Sequence, residues 1–153
     1  MDQFDPNFPG LLEGDITNIA VIDPVFQGNR VINPTQPFDV QVDWEIRGTH
    51  VPIYLGGAVQ NWTVSVYGDT VGPGLDLVLA NVLKNKNDSV PCAGVSCTKY
   101  TVTVTVPAGT LQEHDVGHSG IYKIAAAVFL NGMTPGNDLI GFREGPVIQA
   151  EAP

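Results

Sequence analysis

From Phe38 to Arg47 the chain alternates without a break. Phe38, Val40, Val42, Trp44 and Ile46 fall on one side, and Asp39, Gln41, Asp43, Glu45 and Arg47 on the other. Successive side chains of a β-strand point to opposite faces, so this period makes a strand that buries one face and wets the other. Residues 100–106 repeat the pattern, with Tyr100, Val102, Val104 and Val106 inward and Thr101, Thr103 and Thr105 outward. Trp62, Val64 and Val66 alternate with Thr63, Ser65 and Tyr67 in a third strand that ends at Gly68-Asp69. β-Branched and aromatic types at these positions suit a pleated, half-buried surface. A first strand is expected over residues 16–23. Residues 120–130 are apolar on both sides apart from Lys123, which suits a central strand covered on two faces. Residues 139–150 form a last strand broken near Glu144-Gly145-Pro146, where proline cannot donate to a ladder and a bulge or edge is expected. Residues 75–84 fit either period, and the strand reading is preferred because Gly72-Pro73-Gly74 and the neighbouring elements mark a hairpin-rich sheet.

Glycine (17) and proline (12) are spread along the chain, a usage that favours many short elements joined by turns. With no alternation of strands and helices, the expected fold is an all-β, antiparallel β-sandwich of about seven to eight strands. The 153 residues suit one domain, read as an N-terminal arm (1–14) followed by the sandwich (15–153), with long loops at 48–60 and 84–98. Seven Lys and Arg against sixteen Asp and Glu give a net charge of −9, which opposes docking on nucleic acid or anionic lipid. No apolar run approaches the ~18–20 residues of a spanning helix, so membrane insertion is not expected. The first residues lack the basic start and apolar stretch of a secretory signal. The chain is therefore expected to be soluble, and cytoplasmic if Met1 is the native start.

The stretch His118-Ser119-Gly120-Ile121-Tyr122-Lys123-Ile124-Ala125-Ala126 resembles the sixth-strand signature of immunoglobulin-like domains. The resemblance implies an immunoglobulin-like sandwich in which the Tyr122 hydroxyl bonds back to a corner loop. Ile124 stands where antibody-type domains carry their second cysteine, and the strand around Val40 and Val42 has no cysteine, so no inter-sheet disulfide is implied. Trp44 or Trp62 would take the part of the buried core tryptophan. Sandwiches of this kind serve adhesion, assembly, carbohydrate binding and enzyme accessory roles, so fold alone does not choose among them.

The densest set of metal-ligand types is Glu113, His114, Asp115 and His118. The glycines around it indicate a loop, and a zinc site needs three or four ligands held at fixed geometry. No His-Glu-x-x-His helix and no Gly-x-Ser-x-Gly elbow occurs. Cys92 and Cys97 lie in one loop and are close enough in sequence to bridge. Asp39, Asp43 and Glu45 read as solvated edge protection. The threonine row 101, 103 and 105, beside Thr63 and Ser65, offers a hydroxyl surface that β-propensity alone also explains. In the arm, Phe4, Phe8, Leu11 and Leu12 are interrupted by Pro6, Pro9 and Gly10. They cannot form a regular helix, yet carry apolar area that must dock, either on the chain's own sandwich or across a neighbouring copy.

The expectation is thus a non-enzymatic structural or interaction module without a cofactor. It would self-associate or dock into a larger protein assembly, using Phe4, Phe8, Leu11 and Leu12. Two rivals are a carbohydrate-binding or adhesin-like domain, with Trp62, Tyr54 or Tyr67 as stacking platforms, and a metal-dependent hydrolase at Glu113, His114, Asp115 and His118.

Overall fold

The computed structural model describes residues 3–23, 30–56, 61–130 and 138–152. The turn expected at Asn131-Gly132 lies outside them. In chain order the elements are β1 (Phe4–Asp5), β2 (Glu13–Ile22), β3 (Val31–Ile32), β4 (Phe38–Arg47), α1 (Val51–Leu55), β5 (Trp62–Thr70), β6 (Leu77–Lys84), β7 (Val90–Pro91), β8 (Thr98–Val106), β9 (Ile121–Leu130) and β10 (Leu139–Ala150). They form an all-β sandwich of two sheets. Sheet A runs β2-β4-β8-β7, and sheet B runs β1-β10-β9-β5-β6. Paired strands are antiparallel except β3, which lies parallel to β10. Seven of the ten strands are eight residues or longer, and each corresponds to an alternating or apolar segment of the sequence. The ambiguous segment is strand β6, and β10 shifts register between Glu144 and Val147, where its proline stands.

The inward set of each long strand meets in one core. Trp44 on β4 and Trp62 on β5 are both fully buried, with ring centroids 5.7 Å apart at 68°. The tryptophan position therefore has two occupants, one from each sheet. Tyr100 stacks on Trp44 at 5.3 Å, and Phe4 meets Trp62 edge-on at 5.8 Å. Such aromatic pairs contribute roughly 0.5–1.5 kcal/mol each beyond their burial. Neither indole N–H finds an acceptor of good geometry. The Tyr100 hydroxyl does, donating to the Lys86 carbonyl at 2.5 Å and so tying the turn before β7 to the core.

Phe4 reaches the core because backbone gives way to it. Its ring lies between Gly14 and Gly141, and a Cβ at Gly141 would stand 2.2 Å from the ring. β1 pairs with one half of β10 and β3 with the other, while the Gly145-Pro146 bulge interrupts the middle. The β10 edge of sheet B is thus covered, as edges open to pairing with other chains usually are. At the opposite edge β6 pairs only with β5 among the described residues.

One expectation about β9 is not met. Its inner residues Tyr122, Ile124, Ala126, Val128 and Leu130 are buried, whereas on its outer side Ile121 is exposed, Lys123, Ala127 and Phe129 are half-buried, and only the small Ala125, between Glu144 and Tyr67, is buried. β9 is central within its sheet but covered on one face only.

Candidate interaction surfaces

The loop that carried the candidate metal ligands lies between β8 and β9. Asp115 and His118 close a tight turn through Asp115 N–H to the His118 carbonyl (2.9 Å) and His118 N–H to the Asp115 carbonyl (3.3 Å). The Asp115 carboxylate also meets His118 Nδ1 at 2.7 Å and accepts from Gly117 N–H at 2.8 Å. These partners, the imidazole foremost, hold its pKa below the usual carboxylate range. Glu113 turns away and accepts from the Ala152 N–H. Glu113, His114, Asp115 and His118 therefore do not bring three ligand atoms together. Among the described residues, the one group of three within 4.8 Å is Glu45, Cys92 and Cys97. There the two sulfurs are already bonded to each other.

His114 and His118 form a ridge between two depressions open to solvent. One, of about 520 Å³, runs toward Thr35 and Leu111; the other, of about 640 Å³, runs toward Pro73 and Val116. Beneath the loop, the Tyr122 hydroxyl accepts from Gln112 N–H at 3.0 Å and donates to the Gln112 carbonyl at 3.2 Å. That is the back-bond to a corner loop implied by the sequence around Tyr122.

At the other end of the sandwich three segments converge. His50 N–H donates to the Leu11 carbonyl at 2.8 Å, and Gly48 N–H to the Val95 carbonyl at 2.8 Å. Gly48 sits at φ +123°, and a Cβ there would lie 2.2 Å from the Leu11 carbonyl oxygen, so only glycine lets the N-terminal loop cross at this point. The Cys92–Cys97 disulfide closes the loop carrying Val95. Of the four arm residues, Phe4 and Leu12 are buried in the chain's own core, whereas Phe8 (48%) and Leu11 (43%) stay exposed. Ile53 and Val95, on the two segments joined to this loop, are exposed as well.

The outer faces of the two sheets differ more than the ends do. On sheet A the β2–β4–β8 register brings Glu13, Asp15, Asp39, Asp43 and Glu45 beside Arg47, Lys99 and the exposed Thr101, Thr103 and Thr105. Arg47 is shared among Glu13, Asp15 and Glu45, at 3.7, 3.2 and 3.3 Å. Asp43 is not the solvated carboxylate expected: at 9% exposure it lies under the Asn18 and Gln41 amides, which donate to it at 3.2–3.3 Å. Thr63 and Ser65 do not extend this hydroxyl surface, because β5 belongs to the other sheet.

Sheet B presents apolar groups instead. The register lines up Ile140–Phe129–Thr63–Leu83, then Phe142–Ala127–Ser65–Asn81, then Glu144–Ala125–Tyr67–Val78. Leu83 (65%), Val78 (60%), Ile140 (47%) and Phe142 (41%) are all exposed, and Phe129 and Tyr67 half-buried. Of its charged residues, Asp69, Lys123 and Glu144 gather toward one end, with Lys123 and Glu144 paired at 3.2 Å, and the exposed Asp5 stands beside Ile140 at the other. The sequence set Thr63, Ser65 and Tyr67 outward, but gave no sign that they share a face with Phe129, Ile140, Phe142, Leu83 and Val78. Trp62, a candidate stacking platform, is in the core and unavailable to a ligand. Tyr54 is half-buried on α1, and Tyr67 lies within the apolar face.

No protein-family model and no curated protein matches this chain. No helix among the described residues is long and apolar enough to cross a membrane.

Proposed function

We propose that this chain is a non-enzymatic interaction module with an immunoglobulin-like sandwich, and that it docks into a protein assembly through the outer face of sheet B. The immunoglobulin-like reading is supported by the strand orders β2-β4-β8-β7 and β10-β9-β5-β6. They match the A-B-E-D and G-F-C-C′ sheets of such domains. The Tyr122 back-bond at the turn into β9 supports it too.

The observation that carries the functional reading is the apolar face itself. Exposed leucines are common singly, but contiguous apolar patches on a sheet face mark places where another molecule sits. The loop of Glu113 to His118 supports the same reading from the other side, since its carboxylates are engaged by Gly117, His118 and Ala152. The carbohydrate-binding rival is left with Tyr67 and Tyr54 as platforms. A glycan array, run beside the Tyr67→Ala variant, separates the two readings. The module reading expects no retention on any glycan. Retention that Tyr67→Ala abolishes would replace it with sugar recognition.

A further inference from the structure

We infer that Cys92, Cys97 and Glu45 form a binding site for a thiophilic divalent ion, zinc above all, and that reduction of the Cys92–Cys97 disulfide opens it. The site belongs to sheet A and does not depend on what sits on sheet B. Its two sulfurs are set by a hairpin. β7 pairs with β8 through Val90 with Lys99 and Pro91 with Thr98, so Cys92 follows one strand and Cys97 precedes the other. Cys92 N–H donates to the Cys97 carbonyl at 3.2 Å. The residues 93–96 between them match the spacing of about two to four that separates paired thiolates in zinc sites. The third donor comes from β4: a Glu45 oxygen and the two sulfurs lie within 4.8 Å of one another. Ligands held tetrahedrally at ~2.0–2.3 Å from zinc stand ~3.5–3.8 Å apart, so a carboxylate movement of about 1 Å completes the set.

Burial and charge agree. β4 is paired on both sides, with β2 and β8, and Arg47 Nη1 meets Glu45 Oε1 at 3.3 Å, so the carboxylate is held in place. Cys97 is buried and Cys92 half-buried, which makes Cys92 the sulfur that a reductant reaches and the side chain with room to swing. Two thiolates, one carboxylate and a divalent ion leave one net negative charge, beside Arg47 and beside Lys99, which is in register with Glu45. The same cations favour the thiolate, the form that binds metal. Thiolates select zinc over the magnesium or calcium that carboxylates alone take.

A dithiol reductant attacks the Cys92 sulfur, the S–S bond breaks, and Cys97 leaves as a thiolate. The second thiol of the reductant then frees Cys92 and closes the reductant's own disulfide, so two electrons pass to the cysteine pair. The ion takes the place of the thiol protons. Exchange with a disulfide-bearing oxidant reverses both steps and expels the ion. Bond or ion, the loop stays closed, with the Val95 carbonyl accepting from Gly48 N–H at 2.8 Å.

The test uses the full chain, reduced with a dithiol that is removed without air, then titrated with cobalt(II) as a spectroscopic stand-in and with zinc(II). The expected result is one cobalt per chain with thiolate charge-transfer absorption, displaced by zinc, and none in the oxidised chain. Glu45→Gln should weaken zinc at least about tenfold. Glu13→Gln, which changes a different partner of Arg47, at 3.7 Å, should leave it within about threefold of the parent. Zinc at about a hundred times its Kd should raise the melting temperature of the reduced chain by about 5–10 °C and leave that of the oxidised chain unchanged. Circular dichroism confirms that each variant is folded, and the Cys92→Ser, Cys97→Ser double variant supplies the blank. A reduced chain without a thiolate–cobalt band overturns the inference. So does a zinc affinity that Glu45→Gln leaves unchanged, since a flexible dithiol is then binding on its own; either result leaves the reading of sheet B as it stands.

Discussion

The two outer faces of this sandwich come from strands of the same length and period, yet they have opposite chemistry. On sheet A the positions facing away from the core hold carboxylates, amides and threonines. On sheet B the equivalent positions hold Phe142, Ile140, Leu83 and Val78. Folding requires only that one side of each strand be apolar, and both sheets satisfy this inward. What the outward side carries is therefore left to the needs of the surface. Sheet A presents groups that water solvates, and sheet B presents mostly apolar ones.

The comparison breaks first if sheet B is not sealed where β1 covers β10. Gly141→Val places side-chain atoms where the Phe4 ring now lies and should expel it from the slot, with a loss of about 3 kcal/mol in urea unfolding. An unchanged midpoint would mean Phe4 does not occupy that slot. On the sheet A side, the Cys92→Ser, Cys97→Ser double variant removes a short ring and should cost roughly 2 kcal/mol, or less if the reduced loop keeps its bonds to Gly48. The contrast sharpens at Asp43, the covered carboxylate of the otherwise wet face. Asp43→Ala leaves the Asn18 and Gln41 amides without their acceptor and should cost about 1–2 kcal/mol, whereas Asp39→Ala, nearer solvent, should cost under ~0.5 kcal/mol.

Tyr100 joins the two sheets through the aromatic cluster, and burial, the largest influence, raises its pKa above the ordinary 10.0; Trp62 and Ser89 pull the other way. The folded chain holds the phenol proton more tightly than the unfolded one. Its contribution is thus complete below pH 10.0 and declines as pH rises from there through the folded value. Tyr100→Phe should remove this alkaline decline and, with the bond to the Lys86 carbonyl gone, cost about 1 kcal/mol at neutral pH. Melting curves from neutral pH to above 10.0 check both; a variant that keeps the same alkaline slope would assign it elsewhere. The smallest effects are expected for Phe142→Thr and Thr103→Val, which exchange the character of the two faces. Each should change monomer stability by no more than ~0.5 kcal/mol, because neither face is covered in the monomer.

Much of the sandwich was legible in the chain. Strict alternation placed β4, β5 and β8, the glycine and proline punctuation separated them, and Glu144-Gly145-Pro146 foretold the β10 irregularity. The candidate surfaces were less legible. Phe4, Phe8, Leu11 and Leu12 looked equivalent as apolar residues in an irregular segment. Their fates diverge because only Phe4 and Leu12 reach the core, the former through a slot whose far wall, Gly141, comes from the last strand. The loop from Glu113 to His118 was the densest set of metal-ligand types in the sequence, whereas in the fold its own backbone and the Ala152 N–H engage its two carboxylates.

Period alone determined which side chains along one strand share a side, since that follows from the geometry of a single extended backbone. It determined the sandwich class and the inward stripes. Only the tertiary structure decided which strands lie side by side. Pairing joins segments far apart in the chain, and register then decides whether their outward residues merge or scatter. That is why Thr63 and Thr103 stand on opposite faces, and why Phe142, Phe129 and Leu83 share one.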